Sequence, residues 1–194
     1  MAALVVLAVG VSFAGCGSGP VAAPTSYSQY NAKDGTFACE YPDGWSADGG
    51  GKNGPLWATF TSGPAEIRVN ADVAGSLMGD IAGSVGLGGG QTMPIDLEPV
   101  AKVHELGKET AAQKYSGYSE VGNATELKAG LGPARRSEFT ATTAFGSGQH
   151  GYRATILAKD KRVVVFCACP ESDWQTLEPA FARVLESFQR GNAE

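Results

Sequence analysis

The sequence has few basic residues, and they are not clustered. Lys and Arg total 15 against 20 Asp and Glu, so the formal net charge is −5 over 194 residues. Proteins that bind nucleic acid present closely spaced Lys and Arg side chains to the phosphates. Because no basic block is present, we expect no nucleic acid among the partners.

Histidine is scarce, with only His104 and His150 in the chain. The stretch "HELGKE" lacks the second histidine of a zinc-protease helix, so we expect His104 and Glu105 on a solvated helix face. No Gly-x-Ser-x-Gly elbow is present, and Ser147 and His150 share one loop, too close together to act as nucleophile and base. The sequence therefore disfavours a serine hydrolase.

Two further classes of ligand site are not expected. The glycine-rich stretch over residues 83–91 has no Gly-Lys-Ser/Thr ending and does not join a strand to a helix, as phosphate-binding loops do. The acidic residues are scattered without the spacing of a calcium loop. We therefore expect no cofactor and no metal.

The apolar run from Ala2 to Ala14 is shorter than the roughly 20 residues that a helix needs to span a bilayer. Its length is typical of the hydrophobic region of a secretory signal peptide. Small residues, Ala14 and Gly15, then precede Cys16. This arrangement resembles the lipobox of bacterial lipoproteins. The resemblance implies that residues 1–15 are removed as a signal peptide and that Cys16 is lipidated.

The stretch after Cys16, "GSGPVAAPTSYSQ", is rich in Gly, Pro, Ala and Ser, which predicts a flexible tether over residues 16–29. The lipobox resemblance implies a lipid anchor at the bacterial cell envelope, outside the cytoplasm. Gly17, in place of Asp, implies the outer membrane where two membranes are present. Several acyl chains on one cysteine hold a protein permanently at a membrane. The alternative is a buried N-terminal helix or strand with an incidental cysteine.

Residues 30–191 are predicted to form one domain, because the chain is long enough for one proper core. Alternating apolar and polar residues predict six strands and a weaker seventh. The segments are "TFACEYPDGW", "LWATFTS", "AEIRVNAD", "SEFTATTAF", "YRATILA", "RVVVFCAC" and, more weakly, "NATELKAG". Ser62, Gly63 and Pro64 suit a hairpin loop. The segment "RVVVFCAC" is the most apolar, so we expect it at the centre of the sheet with both faces covered.

Apolar residues at helical spacing predict three helices. The first, weakened by its glycines, covers residues 73–83. The second begins near Pro99 and turns four residues to the sheet: Val100, Val103, Gly107 and Ala111. The third carries one apolar stripe along its length: Trp174, Leu177, Phe181, Val184, Leu185 and Phe188.

Pro179 restricts where the third helix begins. Either Thr176 caps a helix that has Pro179 in its first turn, or Ser172 caps an earlier turn and the axis bends. Both alternatives place the apolar stripe on the sheet. The predicted fold class is therefore α+β, with an antiparallel sheet flanked by helices in an α-β-α sandwich.

Short motifs at the two ends of this domain occur together. Near its start are Phe37, Tyr41, Pro42, Gly44 and Trp45, in the pattern "FxxxYPxGW", and the last helix ends in Ser187 and Phe188. This combination resembles the PsbP-like domains of the Mog1/PsbP superfamily. The resemblance implies a protein that binds or assembles other proteins rather than an enzyme. It specifies fold better than function.

Three cysteines lie within the predicted domain. Cys167 and Cys169 share one face of a strand, and Cys39 lies on the inward side of the first strand. A Cys167–Cys169 bond has poor geometry, so a possible disulfide joins Cys39 to one of them if their strands are neighbours. The alternative is that all three are small apolar core residues. A zinc or redox centre is not expected, since no Cys-x-x-Cys is present.

A few polar and aromatic residues are candidates for binding. Arg135, Arg136 and Arg153 are a possible binding face for a partner or an anionic ligand, although such charges are usually only the wet side of a strand. We expect Trp45 and Trp57 to pack in the interior. An exposed aromatic residue would instead mark a contact site.

Three functions remain open. The first is a membrane-anchored, non-catalytic module that binds or assembles an envelope protein. The second is a carrier of a small apolar ligand, which requires an apolar pocket between sheet and helix. The third is an enzyme that pairs His104 or His150 with a carboxylate, which two distant histidines without polar partners would argue against.

Overall fold

The computed structural model describes residues 21–51, 56–73, 99–158 and 161–192. The predicted signal peptide, Cys16 and the glycine-rich loop lie outside the described residues. The helix predicted over residues 73–83 also lies outside them, except for Val73, which ends a strand.

The described chain folds into nine strands and two helices. In chain order they are β1 (Tyr27–Asn31), β2 (Ala38–Pro42), β3 (Ser46–Gly50), β4 (Leu56–Ser62), β5 (Ala65–Val73), α1 (Pro99–Lys114), β6 (Ser116–Leu127), β7 (Ala134–Thr142), β8 (Gly148–Leu157), β9 (Lys161–Pro170) and α2 (Trp174–Glu186). Seven strands form one antiparallel sheet in the order β3-β4-β5-β9-β8-β7-β6, and β1 pairs with β2 in a separate hairpin. Neither helix among the described residues has the length and apolar character needed to cross a bilayer.

Strand β9 occupies the centre of the seven-stranded sheet, as its apolar sequence predicts. Its side chains alternate between two cores: Val163, Val165 and Cys167 face one, and Phe166 faces the other. A strand covered on both faces cannot spare positions for polar side chains, which explains the continuous apolar run. The hairpin β4–β5, with Gly63 in its turn, is also found as predicted.

Helix α2 covers one face of the sheet, which we call the α2 side. Four residues of the predicted stripe are buried in the helix, with Phe188 after its end: Leu177, Phe181, Val184 and Leu185. Ala180 is buried as well, and Trp174 of the predicted stripe is half-buried. The helix begins at Trp174, directly after a 3₁₀ turn, with Asp173 at its N-cap position. Neither Thr176 nor Ser172 is therefore the cap. Pro179 lies within the helix, whose apolar packing compensates for one missing backbone donor.

Helix α1 covers part of the opposite face, the α1 side, where it packs on β6, β7 and β8. Val100, Val103 and Ala111 are buried there as predicted. The two helices lie on opposite faces of the sheet, so the antiparallel α-β-α arrangement predicted from the sequence is confirmed.

The folded region begins earlier than predicted. Strand β1 starts at Tyr27, the backbone amide of Asp43 donates to the Ser26 carbonyl, and Val21 packs against the core. The predicted tether over residues 16–29 therefore overlaps the domain from Val21 onward, and the boundary at residue 30 is too late. The tyrosines of "SYSQY" pair with β2 and make this segment a strand despite its polar composition.

The three cysteines of the domain are buried as free thiols. Cys39 lies on β2, which pairs with β1, whereas Cys167 and Cys169 lie on β9 of the larger sheet. The condition for the possible disulfide, neighbouring strands, is therefore not met. All three thiols belong to the same apolar core as α2.

Candidate functional site

Arg153 lies beneath α1 in the interior and is only 1% exposed. Its Nη2 donates to Glu120 Oε1 at 2.6 Å, and its Nη1 donates to the His104 backbone carbonyl at 2.7 Å. The Glu120 side chain is itself only 5% exposed, so this is a buried ion pair between β8 and β6. The Arg153 guanidinium therefore has protein partners inside the fold and is not on an open face of the sheet.

Gly107 of α1 makes room for this guanidinium. A Cβ at that position would lie 2.9 Å from Arg153 Nη1. The glycine was predicted to face the sheet, and it does. The helix can approach the sheet over a charged side chain because this position has no side chain of its own.

His104 is buried in the same layer and is 1% exposed, which corrects the prediction of a solvated helix face. Its Nδ1 lies 3.0 Å from Thr155 Oγ1 and its Nε2 lies 2.8 Å from Ser137 Oγ. Burial, with Arg153 nearby, lowers the pKa of His104 to about 3. The imidazole is therefore neutral at physiological pH and is held by two hydroxyl groups.

Tyr118 and Glu120 of β6 complete this buried network. Tyr118 donates to Glu120 Oε1 at 2.8 Å, and Arg153 Nε approaches the Tyr118 hydroxyl at 3.0 Å. Burial raises the pKa of Tyr118 well above its ordinary value. Burial also opposes ionisation of Glu120, but the hydrogen bond and charge of Arg153 outweigh it and lower the pKa of Glu120.

A cleft of about 290 Å³ lies beside this network, between α1 and strands β5, β8 and β9. The cleft lies between helix and sheet, where the carrier hypothesis requires a pocket. Its lining contains polar and charged residues as well as apolar ones. Val103, Ala111, Val164 and Phe166 form the apolar wall. The polar wall contains Asn70, Asp72, Thr110, Lys114, Arg153, Thr155 and Arg162.

Charge in the cleft is partly compensated. Arg162 Nη2 donates to Asp72 Oδ2 at 3.3 Å, and Arg153 is neutralised by Glu120 behind it. Lys114 adds a positive charge at the C-terminal end of α1. The cleft therefore carries a small excess of positive charge beside its apolar wall.

The α1 side of β4 and β5 continues outward from this cleft. Leu56, Ala58 and Phe60 face the α2-side core, so by alternation the intervening residues face the other way. We call these α1-side residues the open strip: Trp57, Thr59, Arg68 and Asn70, all exposed or half-buried. Trp57 is 38% exposed and its indole lies over Gly50, so the prediction that it packs in the interior is wrong. Trp45 is buried as predicted.

The other two predicted arginines do not share one face. Arg135 pairs across the strand with Thr155 on the α1 side. Arg136 points to the α2 side, where its guanidinium lies 4.7 Å from the Tyr152 ring centroid. The structure thus places Arg135 and Arg153 on the α1 side near His104 and Arg136 on the α2 side, so the three arginines do not share one face.

His150 lies on the α2 side, across the sheet from His104. Its Nε2 is 2.7 Å from Glu138 Oε1 and its Nδ1 is 3.1 Å from both Glu171 carboxylate oxygens. Trp174 stacks on the ring at a centroid distance of 4.1 Å. Two conditions would argue against an enzyme: distant histidines, and histidines without polar partners. The two histidines are on opposite faces of the sheet, so the first condition is met. Both have polar partners, so the second is not. Both nitrogens of each ring are already engaged.

Within the described ranges, no group of three or more His, Cys, Asp or Glu side chains is arranged to hold a metal ion. The cleft can hold a small molecule or a side chain of a partner, and the open strip can support a larger contact.

Strand order and helix placement define a PsbP-like fold. The solution structure of the cyanobacterial PsbP protein CyanoP from Synechocystis sp. PCC 6803 superposes with a TM-score of 0.57, at 16% identity, covering 92% of this chain and 98% of that one. This likeness shows the fold that the motifs predict. The LpqN protein of Mycobacterium tuberculosis, described as involved in cell envelope biogenesis, is 13% identical with a TM-score of 0.48, covering 90% of each chain.

The chain belongs to the family described as the serine/threonine kinase C-terminal domain, whose model matches residues 86–190, or 105 of the 194 residues. This membership concerns a C-terminal domain and assigns no kinase activity to the chain. No curated protein sequence matches it.

Proposed function

We propose that this protein is a lipid-anchored, non-catalytic binding module of the bacterial cell envelope, and that it holds a partner protein on its α1 side. The observation that carries this proposal is the exposed Trp57 beside the cleft. Trp and Arg are the side chains most enriched among residues that dominate binding energy at protein interfaces. Trp57 and Arg68 supply both on adjacent strands of the open strip.

The cleft gives this surface a concave part. A partner that lays a flat contact over Trp57 can insert one side chain between α1 and the sheet, with an acidic or polar end near Lys114 and Arg162. Contacts of this kind are strongest where an anchor fills a pocket that excludes water. The proposed binding surface therefore consists of the open strip and the cleft together.

The state of the two histidines supports a non-catalytic role. His104 is buried and neutral between two hydroxyls, and His150 lies between two carboxylates under Trp174. A general base must reach a substrate proton with a free nitrogen, directly or through one water. The family description is consistent with binding as well, since a domain that accompanies a kinase does not itself have to be catalytic.

A second candidate is a carrier of a small ligand. The volume of the cleft, about 290 Å³, is close to the lower limit of about 300 Å³ for ligand pockets. Its charged wall favours a ligand that combines an anionic group with an apolar part, rather than the purely apolar ligand expected from the sequence. Native mass spectrometry of the purified protein tests this candidate. A retained small molecule that Arg162→Gln releases would favour the carrier over the assembly module.

The anchor is tested by metabolic labelling with a fatty-acid analogue. We expect label on the wild-type protein and none on Cys16→Ser, because the thiol is the only proposed attachment point. An unlabelled wild-type protein would contradict the anchor.

Binding is tested by crosslinking in intact membranes followed by purification of the anchored protein. We expect one reproducible protein partner, lost from Trp57→Ala and retained by Glu186→Ala, an exposed position on the α2 side. Equal recovery from both variants would remove the open strip from the proposal.

A further inference from the structure

Phe145 is the most exposed large hydrophobic residue among those described, at 97%. It lies at the tip of the β7–β8 hairpin in a well-formed turn. The amide of Thr143 donates to the Ser147 carbonyl at 2.9 Å, and the amide of Gly146 donates to the Thr143 carbonyl at 2.9 Å. The Ser147 amide also donates to Thr143 Oγ1. The phenyl ring is thus presented to the outside by a fixed loop.

The strand register shows which end of the sheet this hairpin occupies. Glu66 on β5 pairs with Ala168 on β9, Ala168 pairs with Gly151 on β8, and Gly151 pairs with Phe139 on β7. These four paired residues form one row across the sheet. On one side of this row, the β4–β5 turn precedes Glu66 and the β7–β8 turn follows Phe139. The β4–β5 turn and the β7–β8 turn therefore lie at the same end of the sheet.

The β7–β8 hairpin extends beyond the β4–β5 hairpin at that end. Pairing in β5 ends one residue past the row, at Ala65, whereas pairing in β7 continues three residues past it, to Thr142. Two further residues correspond to about 7 Å of strand. Phe145 lies farther out still, in the turn that follows Thr142.

The N-terminal segment leaves the domain at the same end. Val21 packs against the core and lines a groove together with Ser62, Gly63 and Pro64 of the β4–β5 turn. Four residues separate Cys16 from Val21, and the five Cα-to-Cα steps between the two span at most about 18 Å when fully extended. The opposite end of a ten-residue strand such as β9 is about 33 Å farther along the sheet. A lipid on Cys16 therefore holds this end nearest the membrane.

We propose that Phe145 inserts into the lipid surface and acts as a second, non-covalent membrane contact that sets the orientation of the domain. This inference rests on the proposed anchor at Cys16. An aromatic ring in the interfacial region of a bilayer loses contact with water without needing a protein pocket. The strands then stand upright on the membrane, and the open strip faces sideways, where a neighbouring envelope protein can reach it.

The test uses acylated full-length protein with a fluorophore on a single introduced cysteine. Phe145→Cys carries the label at the proposed contact, and Lys128→Cys carries it at the opposite end of the sheet as the matched control. Cys39, Cys167 and Cys169 are buried, so they do not compete for the label. Each protein is reconstituted into vesicles of phosphatidylcholine and phosphatidylglycerol, with and without brominated acyl chains.

We expect a blue-shifted emission and strong quenching by the brominated lipid at position 145, and neither effect at position 128. A label at 145 that stays in water, or equal quenching at both positions, would overturn the inference. Protection of position 145 in native envelopes but not in pure lipid vesicles would assign the contact to a protein and would also overturn it.

A second variant tests the native side chain. We expect vesicles to slow hydrogen exchange of residues 143–147 in the acylated wild-type protein, and Phe145→Ser to abolish this protection without changing its unfolding midpoint. Unchanged exchange in the wild-type protein would contradict insertion. Mass spectrometry separates the two proposals: protein without lipid on Cys16 refutes the anchor, whereas acylated protein with an unprotected turn refutes only the role of Phe145.

Discussion

The two faces of the central sheet are stabilised in different ways. The α2 side buries 25 described hydrophobic residues in one continuous cluster, whereas the cluster on the α1 side has five. On the α1 side much of the interior is polar, with Arg153, His104, Ser137 and Thr155 all buried. One face therefore depends on packed volume, and the other depends on a few ion pairs and hydrogen bonds.

Under the proposed function, the α2 side contributes stability and the α1 side contributes recognition. Helix α2 packs over the apolar core of the α2 side. The α1 side has an open cleft beside the buried network, and an exposed tryptophan on the strip next to it. A polar layer under α1 fixes the helix above the cleft in one position, as fully satisfied buried networks do. The comparison can be tested by disturbing each face in turn.

The largest loss of stability is expected from Arg153→Met on the α1 side. Removing one partner of a buried ion pair costs about 3–5 kcal/mol of unfolding free energy, and it leaves the Glu120 carboxylate only Lys108 Nζ, 3.9 Å away, as a cationic partner. Urea denaturation measures this loss. The double variant Arg153→Met/Glu120→Gln should recover most of it, and a double variant as unstable as the single one would show that the pair does not act as a pair.

Leu177→Ala on the α2 side should cost about 2–5 kcal/mol, because it leaves a cavity in a close-packed core. Unlike the loss on the α1 side, this loss should not change with pH, since no charged group is involved. Denaturation at two pH values measures both quantities. A strongly pH-dependent loss would contradict the division between the two faces.

Acid should weaken the α1 side through His104. Its pKa is about 3 in the folded protein and 6.5 ordinarily, so between these values the unfolded chain binds a proton here and the folded chain does not. The free energy of unfolding should therefore fall by about 1.4 kcal/mol per pH unit below about pH 6.5. Glu120, whose pKa is lowered, loses its own contribution at more acidic pH in the same direction.

The His104→Gln variant measures this contribution. Between about pH 6 and pH 4, the unfolding free energy of this variant should fall less steeply than that of the wild type. The difference in slope should be about 1.4 kcal/mol per pH unit, the contribution assigned to the His104 imidazole. Leu177→Ala serves as the control, with the wild-type slope. Identical slopes in wild type and His104→Gln would show that the histidine does not couple folding to pH.

The core thiols should resist alkylation in the folded protein. Burial raises the pKa of Cys39 and of Cys169 to about 12, and that of Cys167 well above its ordinary value. In the Cys16→Ser protein, mass spectrometry should detect no adduct under native conditions and three adducts in denaturant without reductant. A single adduct in denaturant would instead indicate a disulfide.

The smallest effect on stability is expected from Trp57→Ala, within about 0.5 kcal/mol, because its side chain is exposed and covers only neighbouring strand residues. A large loss of stability would mean that Trp57 supports the fold, and its loss of binding would then not report on a contact surface. Thermal denaturation beside Glu186→Ala provides the comparison.

The apolar part of this fold is readable from the sequence, because hydrophobic periodicity reports directly on burial. It predicts the central position of β9, the α2 stripe and the sheet-facing residues Val100 and Val103. The motif with Tyr41, Pro42 and Trp45 points to the PsbP-like fold that the comparison with CyanoP shows. Strands β1 and β3 are missed, since "SYSQYN" and "SADGG" have too few apolar residues to show a period.

The polar interior is not readable in this way. His104 is on a helix and is polar, so hydrophobic periodicity does not predict its burial. Its burial depends on hydrogen bonds to Ser137 of β7 and Thr155 of β8, which the fold brings close to it. Arg153 has its partner, Glu120, 33 residues away. Gly107 is the sequence feature that indicates a large side chain beneath α1, because a glycine at a sheet-facing helix position often makes space for a large neighbour.

Site-specific photocrosslinking in intact envelopes tests the central claim most directly, namely that the α1 side holds a partner while the α2 side is closed. A photoreactive benzoylphenylalanine replaces Trp57 in one protein and Glu186 in the other, both with Cys16 intact. We predict one dominant adduct protein from position 57 and none from position 186. No adduct at position 57, or the same proteins in equal yield from both positions, would contradict the account.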